Sequence, residues 1–341
     1  MTARSDIKNI SLAELAEILK GSGHAPYRAR QIFKWLYARN ARSFEEMKDL
    51  PEDLRTFLKK YFHIMCFSVL DQRRSALDGT SKYLFRLEDA NTIEAVFLPE
   101  GERNTICLSS QVGCKYGCKF CASASVGFIR NLTSSEIIEE VLAVKSLHPG
   151  AKITNLVFMG IGEPMDNYDN VLKAVRIFNS KDAFNIGARR ITLSTCGVIP
   201  GIEALEREAL QIELSVSLHS AKEAVRGALV PVNKKYPIKD LIPACRHYTE
   251  ATGRVITFEY VLLEGINSSK DDAMALAKLL KRMMCKVNII SYNDIRAKGY
   301  AESSPAAFIS VLRGNGLNVT RRKSKGADID AGCGQLRISR L

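Results

Sequence analysis

Cys114-Lys-Tyr-Gly-Cys118-Lys-Phe-Cys121 places three thiols in one short loop, spaced C-x3-C-x2-C, directly after the apolar and β-branched run Thr105–Leu108. Three thiolates can hold three irons of a cubane [4Fe-4S] cluster and leave the fourth iron open to a small-molecule ligand. A structural zinc site would ask for a fourth Cys or His at short spacing, and none follows Cys121 before His148. Phe120, just before the third cysteine, suits a packed wall beside a cluster. The chain has nine cysteines, an odd number, and no secretory signal at its start. That count argues against a disulfide framework and for metal or redox chemistry.

Other residues could do chemistry but also have plainer readings. Gly160-Ile-Gly162-Glu163 follows the apolar run Asn155–Met159. Glycines there permit close backbone approach to a ligand, and the carboxylate of Glu163 could accept hydrogen bonds from an ammonium group. Cys333 lies between Gly332 and Gly334, so it is either a small residue in a tight turn or, as a thiolate, a nucleophile. Cys107, on an expected strand, reads as a core residue, Glu94 as part of a solvated strand face, and His219 as a buried histidine. Arg321, Arg322, Lys323 and Lys325 could hold phosphates or simply be solvated.

The segments Cys107-Leu-Ser-Ser-Gln-Val-Gly-Cys114, Gly127-Phe-Ile-Arg-Asn-Leu-Thr133, Phe158-Met-Gly-Ile-Gly-Glu-Pro164, Leu193-Ser-Thr195, Ser217-Leu-His219 and Asp328-Ile-Asp-Ala-Gly-Cys-Gly-Gln335 occur in that order. With the cysteine loop they resemble the RlmN and Cfr family of RNA adenine methyltransferases, within the radical S-adenosylmethionine superfamily. The likeness runs from roughly Glu94 to Leu336, and more loosely over the amino-terminal region.

The resemblance implies a [4Fe-4S] cluster on Cys114, Cys118 and Cys121, and S-adenosylmethionine contacts from Gly162, Glu163, Ser194, Ser217, Leu218, His219 and Asn293. It implies that Cys333 takes a methyl group from one S-adenosylmethionine, and that a radical made from a second removes hydrogen from that methyl. The resulting carbon then joins the adenine. Cys107 would resolve this covalent RNA adduct by forming a disulfide with Cys333, and Glu94 would be the general base for the ring proton. Gly162-Glu163-Pro164 and Lys325-Gly326 look more like RlmN, acting at carbon 2, than Cfr, acting at carbon 8. The implied substrate is 23S ribosomal RNA, with transfer RNA open as a second one, and flavodoxin or ferredoxin is the kind of electron donor expected. A small-molecule radical enzyme is the rival reading.

These residues need elements to position them. Runs at Thr105–Leu108, Asn155–Met159, Ile191–Thr195, Ile212–Leu218, Val255–Leu263, Val287–Tyr292 and Leu317–Thr320 alternate with helical stretches, one opened by a Thr133/Glu136 capping box. This pattern predicts an α/β fold with a parallel sheet and its site at the carboxyl ends of the strands; the resemblance makes it a partial (β/α)6 barrel. Asp78-Gly79 predicts a hairpin between Phe67–Leu77 and Lys82–Leu87, leading to Thr92–Leu98, with a small sheet of its own. Earlier residues read as a helical bundle with capping boxes at Ser11/Glu14 and Ser43/Glu46, and Pro51 opening a further helix. The expected division is a helical, RNA-facing accessory domain over 1–65, a connector over 66–99 and a catalytic domain over 100–341.

Composition agrees with a polyanionic partner without requiring one. Lys and Arg number 49 against 37 Asp and Glu, a net charge of +12. No run approaches the length of a membrane span. The expectation is a cytoplasmic monomer with no membrane association.

Overall fold

The apolar runs fold as neighbours in one sheet. The computed structural model describes residues 4–125, 127–295 and 299–337. Ten strands form this sheet: β1 Ser68–Arg74, β2 Ser81–Arg86, β3 Thr92–Glu100, β4 Arg103–Cys107, β5 Asn155–Phe158, β6 Ile191–Thr195, β7 Glu213–Ser217, β8 Ile256–Leu262, β9 Cys285–Ser291 and β10 Asn318–Arg322. Their order across the sheet is their order in the chain. The first four pair antiparallel, and β4 to β10 pair parallel. All seven expected parallel strands are present. Their runs are nearly uninterrupted because helices cover the sheet, and every residue of β8 is buried.

Three helices form the amino-terminal bundle: α1 Leu12–Gly21, α2 Arg28–Phe33 and α3 Glu52–Tyr61. The crossovers use α4 Ser134–Leu147, α5 Tyr168–Asn179, α6 Ile199–Glu206, α7 Glu223–Leu229, α8 Ile238–Thr252, α9 Lys270–Leu279 and α10 Ala306–Gly314. Each strand from β4 to β9 is thus followed by at least one helix, which is the (β/α)6 arrangement. Capping boxes open α1 at Ser11 and α4 at Thr133 as expected. Pro51 is the residue before α3.

Two local expectations are corrected. Ser43 caps nothing with its side chain, and Phe44–Glu46 is a single 3-10 turn. The Glu46 carboxylate accepts the backbone N–H of Arg42 instead (3.0 Å), since the chain turns again at Leu50-Pro51 before a helix can grow. The hairpin also has no sheet of its own: β3 pairs β2 on one side and β4 on the other, so β1 to β3 extend the main sheet.

The amino-terminal bundle docks on α4. Buried Glu139 accepts from Lys8, from Arg42 and from the Phe67 N–H (3.3 Å), and Asn9 accepts from Ser134 and Ser135 (3.0 and 2.9 Å). At the other end, residues after β10 cross the gap between the sheet's two edge strands. Asp78 accepts the Gly326 N–H (2.9 Å), and Asp328 accepts the Ala76 N–H (3.0 Å). Among the described residues, no helix is long and apolar enough to cross a membrane.

Candidate active site

At the carboxyl ends of the parallel strands lies a cavity, the place where sites of α/β barrels form. Each strand from β5 to β10 lends it a wall: Phe158 to Gly160, Ser194 to Cys196, Ser217 and His219, Glu259 and Val261, Ile290 to Asn293, and Arg322. The strands hold these side chains in register, Ser217 beside Glu259 and Ile290 beside Arg322.

Cys114, Cys118 and Cys121 all line this cavity. A two-stranded ribbon, Gln111–Gly113 with Phe128–Asn131, closes the base of their loop. Gly113, at φ +79°, passes so close to the Gly127 carbonyl that a Cβ would lie 1.8 Å from its oxygen. Within the loop the Cys121 N–H bonds to the Cys118 carbonyl (3.2 Å), turning two thiols toward one space. Burial pushes the Cys114 thiol up to about 12, with Cys121 acting in the same direction. Burial, then Cys121 and Cys114, hold Cys118 far above the ordinary thiol value. Thiols gathered in one buried loop become thiolates when iron carries the opposing charge, so the donor set fits an iron–sulfur cluster. His148, the nearest later histidine, is bonded to Tyr83 and stacked on Phe97, with ring centroids 3.9 Å apart. Among the described residues no three His, Cys, Asp or Glu side chains form a site for a single metal ion.

The Gly160–Glu163 turn packs against the strand that leads into the cysteine loop. A Cβ on Gly160 would lie 2.6 Å from the Leu108 carbonyl oxygen, and one on Gly162 (φ +104°) 2.6 Å from the Gln111 side chain. Glu163 is buried; its two oxygens accept the N–H groups of Met165 (3.0 Å) and Cys196 (2.7 Å). Burial nevertheless raises its pKa, and a ligand ammonium would offset that cost. His219 adopts φ +58° and accepts the Val261 N–H at Nδ1 (3.0 Å). Burial, followed by the charge of Arg226, pushes its pKa down to about 3. The ring is therefore neutral, with its hydrogen on Nε2. Leu218 does not line the cavity: it is fully buried, and its N–H bonds to the Glu259 carbonyl (3.1 Å).

Cys333 and Gly334 form part of the cavity wall. Their loop is tied to the cysteine loop by Ala122 N–H to the Gly334 carbonyl (2.6 Å) and by Ser123 to the Leu336 carbonyl (2.7 Å). Asn293 holds it from just beyond the end of β9, donating to the Cys333 carbonyl (3.1 Å). Asn293 thus positions this loop as well as lining the cavity. Cys107, at the end of β4, is buried outside the lining, and all nine cysteines are free. Burial pushes its thiol up to about 12, with negative charge on Cys333 adding and Arg322 opposing. Glu94 also stands outside the lining: it pairs with Lys82 (3.2 Å) and accepts the Arg337 N–H (2.9 Å), beneath the carboxy-terminal segment. Burial raises its pKa against the opposing charge of Lys82.

Sequence reasoning missed two charged residues here. Glu259 is buried in the lining, bonded to Asn288 (2.9 Å); a lone carboxylate within the run Val255–Leu263 was its only signal. Arg322, grouped above with phosphate-binding side chains, instead turns into the cavity and contacts Met159 Sδ (3.0 Å). Charge on Cys333 is the largest influence raising its pKa.

Comparison with known proteins agrees with this architecture. Residues 108–280 match the model of the radical SAM superfamily, and residues 5–64 match that of the ribosomal RNA large subunit methyltransferase N-terminal domain. A probable dual-specificity RNA methyltransferase RlmN of Moorella thermoacetica is 47% identical, covering 99% of both chains. Its counterpart in Lachnoclostridium phytofermentans is 43% identical, covering 99% of this chain and 96% of its own. The crystal structure of a radical SAM methyltransferase from Sphaerobacter thermophilus superposes with a TM-score of 0.92 at 42% identity, covering 97% of this chain and 99% of that one.

Proposed function

This chain belongs to the RlmN family of radical S-adenosylmethionine RNA methyltransferases, and from that membership we propose that it methylates carbon 2 of an adenine in 23S ribosomal RNA and in transfer RNA. The observation that carries this reading is the single cavity in which the three loop cysteines, the Gly160–Glu163 turn and Cys333 meet. The dual-specificity name of the relatives supports two RNA substrates, and the RlmN name favours carbon 2 over the carbon 8 alternative.

When bound, a reduced cluster and S-adenosylmethionine supply one-electron cleavage of a carbon–sulfur bond, chemistry that no side chain here offers. Cys114, Cys118 and Cys121 would hold the cluster. Glu163 would accept from the cofactor's ammonium group; Ser194, Ser217, the His219 Nε2–H and Asn293 line the remaining wall and would orient the cofactor. Leu218 acts behind them as packing. Cys333 would receive a methyl group by displacement, for which it must be a thiolate, and Arg322 lines the same cavity. The methyl on Cys333 would be the carbon that bonds to adenine, a second S-adenosylmethionine supplying the radical chemistry that would take up one of its hydrogens. Cys107 would then attack the Cys333 sulfur and release the product, and Glu94 would take the ring proton once the carboxy-terminal segment moves off it. The electron comes from a donor of the flavodoxin or ferredoxin kind.

Residues 1–65 would form the RNA-facing module, since Met1 to Met65 carry 12 Lys and Arg against 8 Asp and Glu. The rest of the chain would act as one catalytic unit, including 66–99, whose strands share its sheet.

The test is anaerobic turnover with RNA, followed by mass spectrometry of its nucleosides. Wild-type protein should yield 2-methyladenosine, and Cys333→Ala should yield none while keeping its iron. Product methylated only at carbon 8 would move the protein to the alternative, and methylation by Cys333→Ala would remove the covalent route.

A further inference from the structure

The hairpin between β1 and β2 lies far from Cys333 in sequence, yet it grips the segment that carries Cys333, just after Lys325 bonds the Pro99 carbonyl (3.0 Å). Two bonds run in opposite directions between them. Asp78, whose other oxygen accepts the Thr80 N–H (3.0 Å), takes the Gly326 N–H (2.9 Å), and Asp328 takes the Ala76 N–H (3.0 Å). Lys82 adds a third, from Nζ to the Asp330 carbonyl (3.1 Å). The seat is tight: a Cβ on Gly326 would lie 2.7 Å from Ala331 Cβ and 2.9 Å from Thr80 Cγ2. Gly326 and Asp330 both adopt left-handed φ values, +63° and +53°, so the segment is bent at both ends of the part the hairpin grips. For a residue other than glycine that conformation costs free energy and persists only where neighbours hold it.

We propose that Asp78, Asp328 and Lys82 are positioning residues of the methyl transfer, fixing where the Cys333 loop begins and thereby where the Cys333 sulfur sits in the cavity. The proposal rests on the reading of Cys333 as the methyl carrier. Asn293 and the cysteine loop hold the segment at Cys333 and beyond it. With the hairpin contacts removed, the stretch from Gly326 to Asp330 loses its grip, although Lys325 still bonds the Pro99 carbonyl (3.0 Å) ahead of it, and the sulfur samples positions away from the wall. A displaced nucleophile loses rate steeply, because in-line displacement needs aligned atoms at close range. RNA binding and the cluster, which use other residues, are untouched.

Two readouts test this. The first needs no bound group: alkylation of Cys333 by iodoacetamide, followed by peptide mass spectrometry with exposed Cys66 as internal standard. Asp328→Ala should speed Cys333 alkylation about tenfold relative to Cys66, the change expected on losing a charge-assisted hydrogen bond. Asp78→Ala should do the same, while Asp328→Asn, which keeps an acceptor, should stay near wild type. The second readout is turnover by reconstituted protein, where the alanine variants should lose kcat by about tenfold with KM for RNA unchanged. Unchanged Cys333 alkylation in both alanine variants would overturn the proposal. A raised KM at constant kcat would also overturn it, assigning the hairpin to RNA contact. Methylation by Cys333→Ala would instead sink the methyl-carrier reading and leave the alkylation result standing as a statement about the loop.

Discussion

Cys107 and Cys333 are the same side chain in opposite surroundings. Cys107 ends a buried strand, while Cys333 sits on a loop at the cavity wall beside Arg322. The meeting of Cys114, Cys118 and Cys121 at one cavity was legible in the sequence because their spacing is local and turns them into one loop. Glu259 and Arg322 were not, because their meeting depends on the register of strands distant in the chain. The role of Asn293 in holding the Cys333 carbonyl was hidden for the same reason. His219 gives the residue-scale prediction. Its folded pKa of about 3 lies below the unfolded value of about 6.5, so the unfolded chain takes up the proton first. Its contribution to stability is complete above about pH 6.5 and is lost as pH falls toward 3, with a slope of up to ~1.4 kcal/mol per pH unit. Glutamine can still accept the Val261 N–H and does not titrate. His219→Gln should therefore lose less stability than wild type in urea melts between pH 6.5 and 4. Parallel curves would contradict the buried neutral ring.

Among the elements, the parallel strands were readable because burial on both faces demands uninterrupted apolar runs, and α4 because its capping box is written in four residues. The hairpin was misjudged because pairing partners are not encoded locally: nothing in Thr92–Glu100 announces that both its edges will be used. What joins the elements at the site is close backbone approach. Ala at 160 would drive a Cβ into the Leu108 carbonyl, parting the ends of β4 and β5, whereas Gly187 has nothing within 4 Å of its would-be Cβ. Gly160→Ala should cost ~1–3 kcal/mol, and Gly187→Ala should be neutral or slightly stabilising. Urea denaturation of the two variants checks this. Equal midpoints would mean that the Gly160 turn does not bear on β4.

In the whole molecule, a basic helical bundle is fastened to one side of the catalytic sheet and a carboxy-terminal segment crosses its open seam. Glu139 is one of the fastenings of the bundle, joining Lys8 and Arg42 to α4. Glu139→Gln would leave Lys8 buried beside a neutral amide, a loss of ~3–5 kcal/mol for a broken buried pair. Hydrogen exchange should then quicken across residues 5–64 while β5 to β9 stay protected. Uniform quickening would show that the bundle and sheet unfold as one. The carboxy-terminal segment bears on the central claim, because it brings Cys333 toward Cys107 from the far end of the chain. In the proposed route Cys107 would act only after carbon has bonded to RNA, so Cys107→Ala should keep its cluster, its cofactor binding and methylation of Cys333. Lacking the second sulfur, it should accumulate joined to RNA. The deciding measurement is nuclease digestion of that variant followed by mass spectrometry of its peptides. The account predicts an adenine nucleotide linked through one methylene to Cys333; free turnover by the variant, or an adduct on another residue, would contradict it.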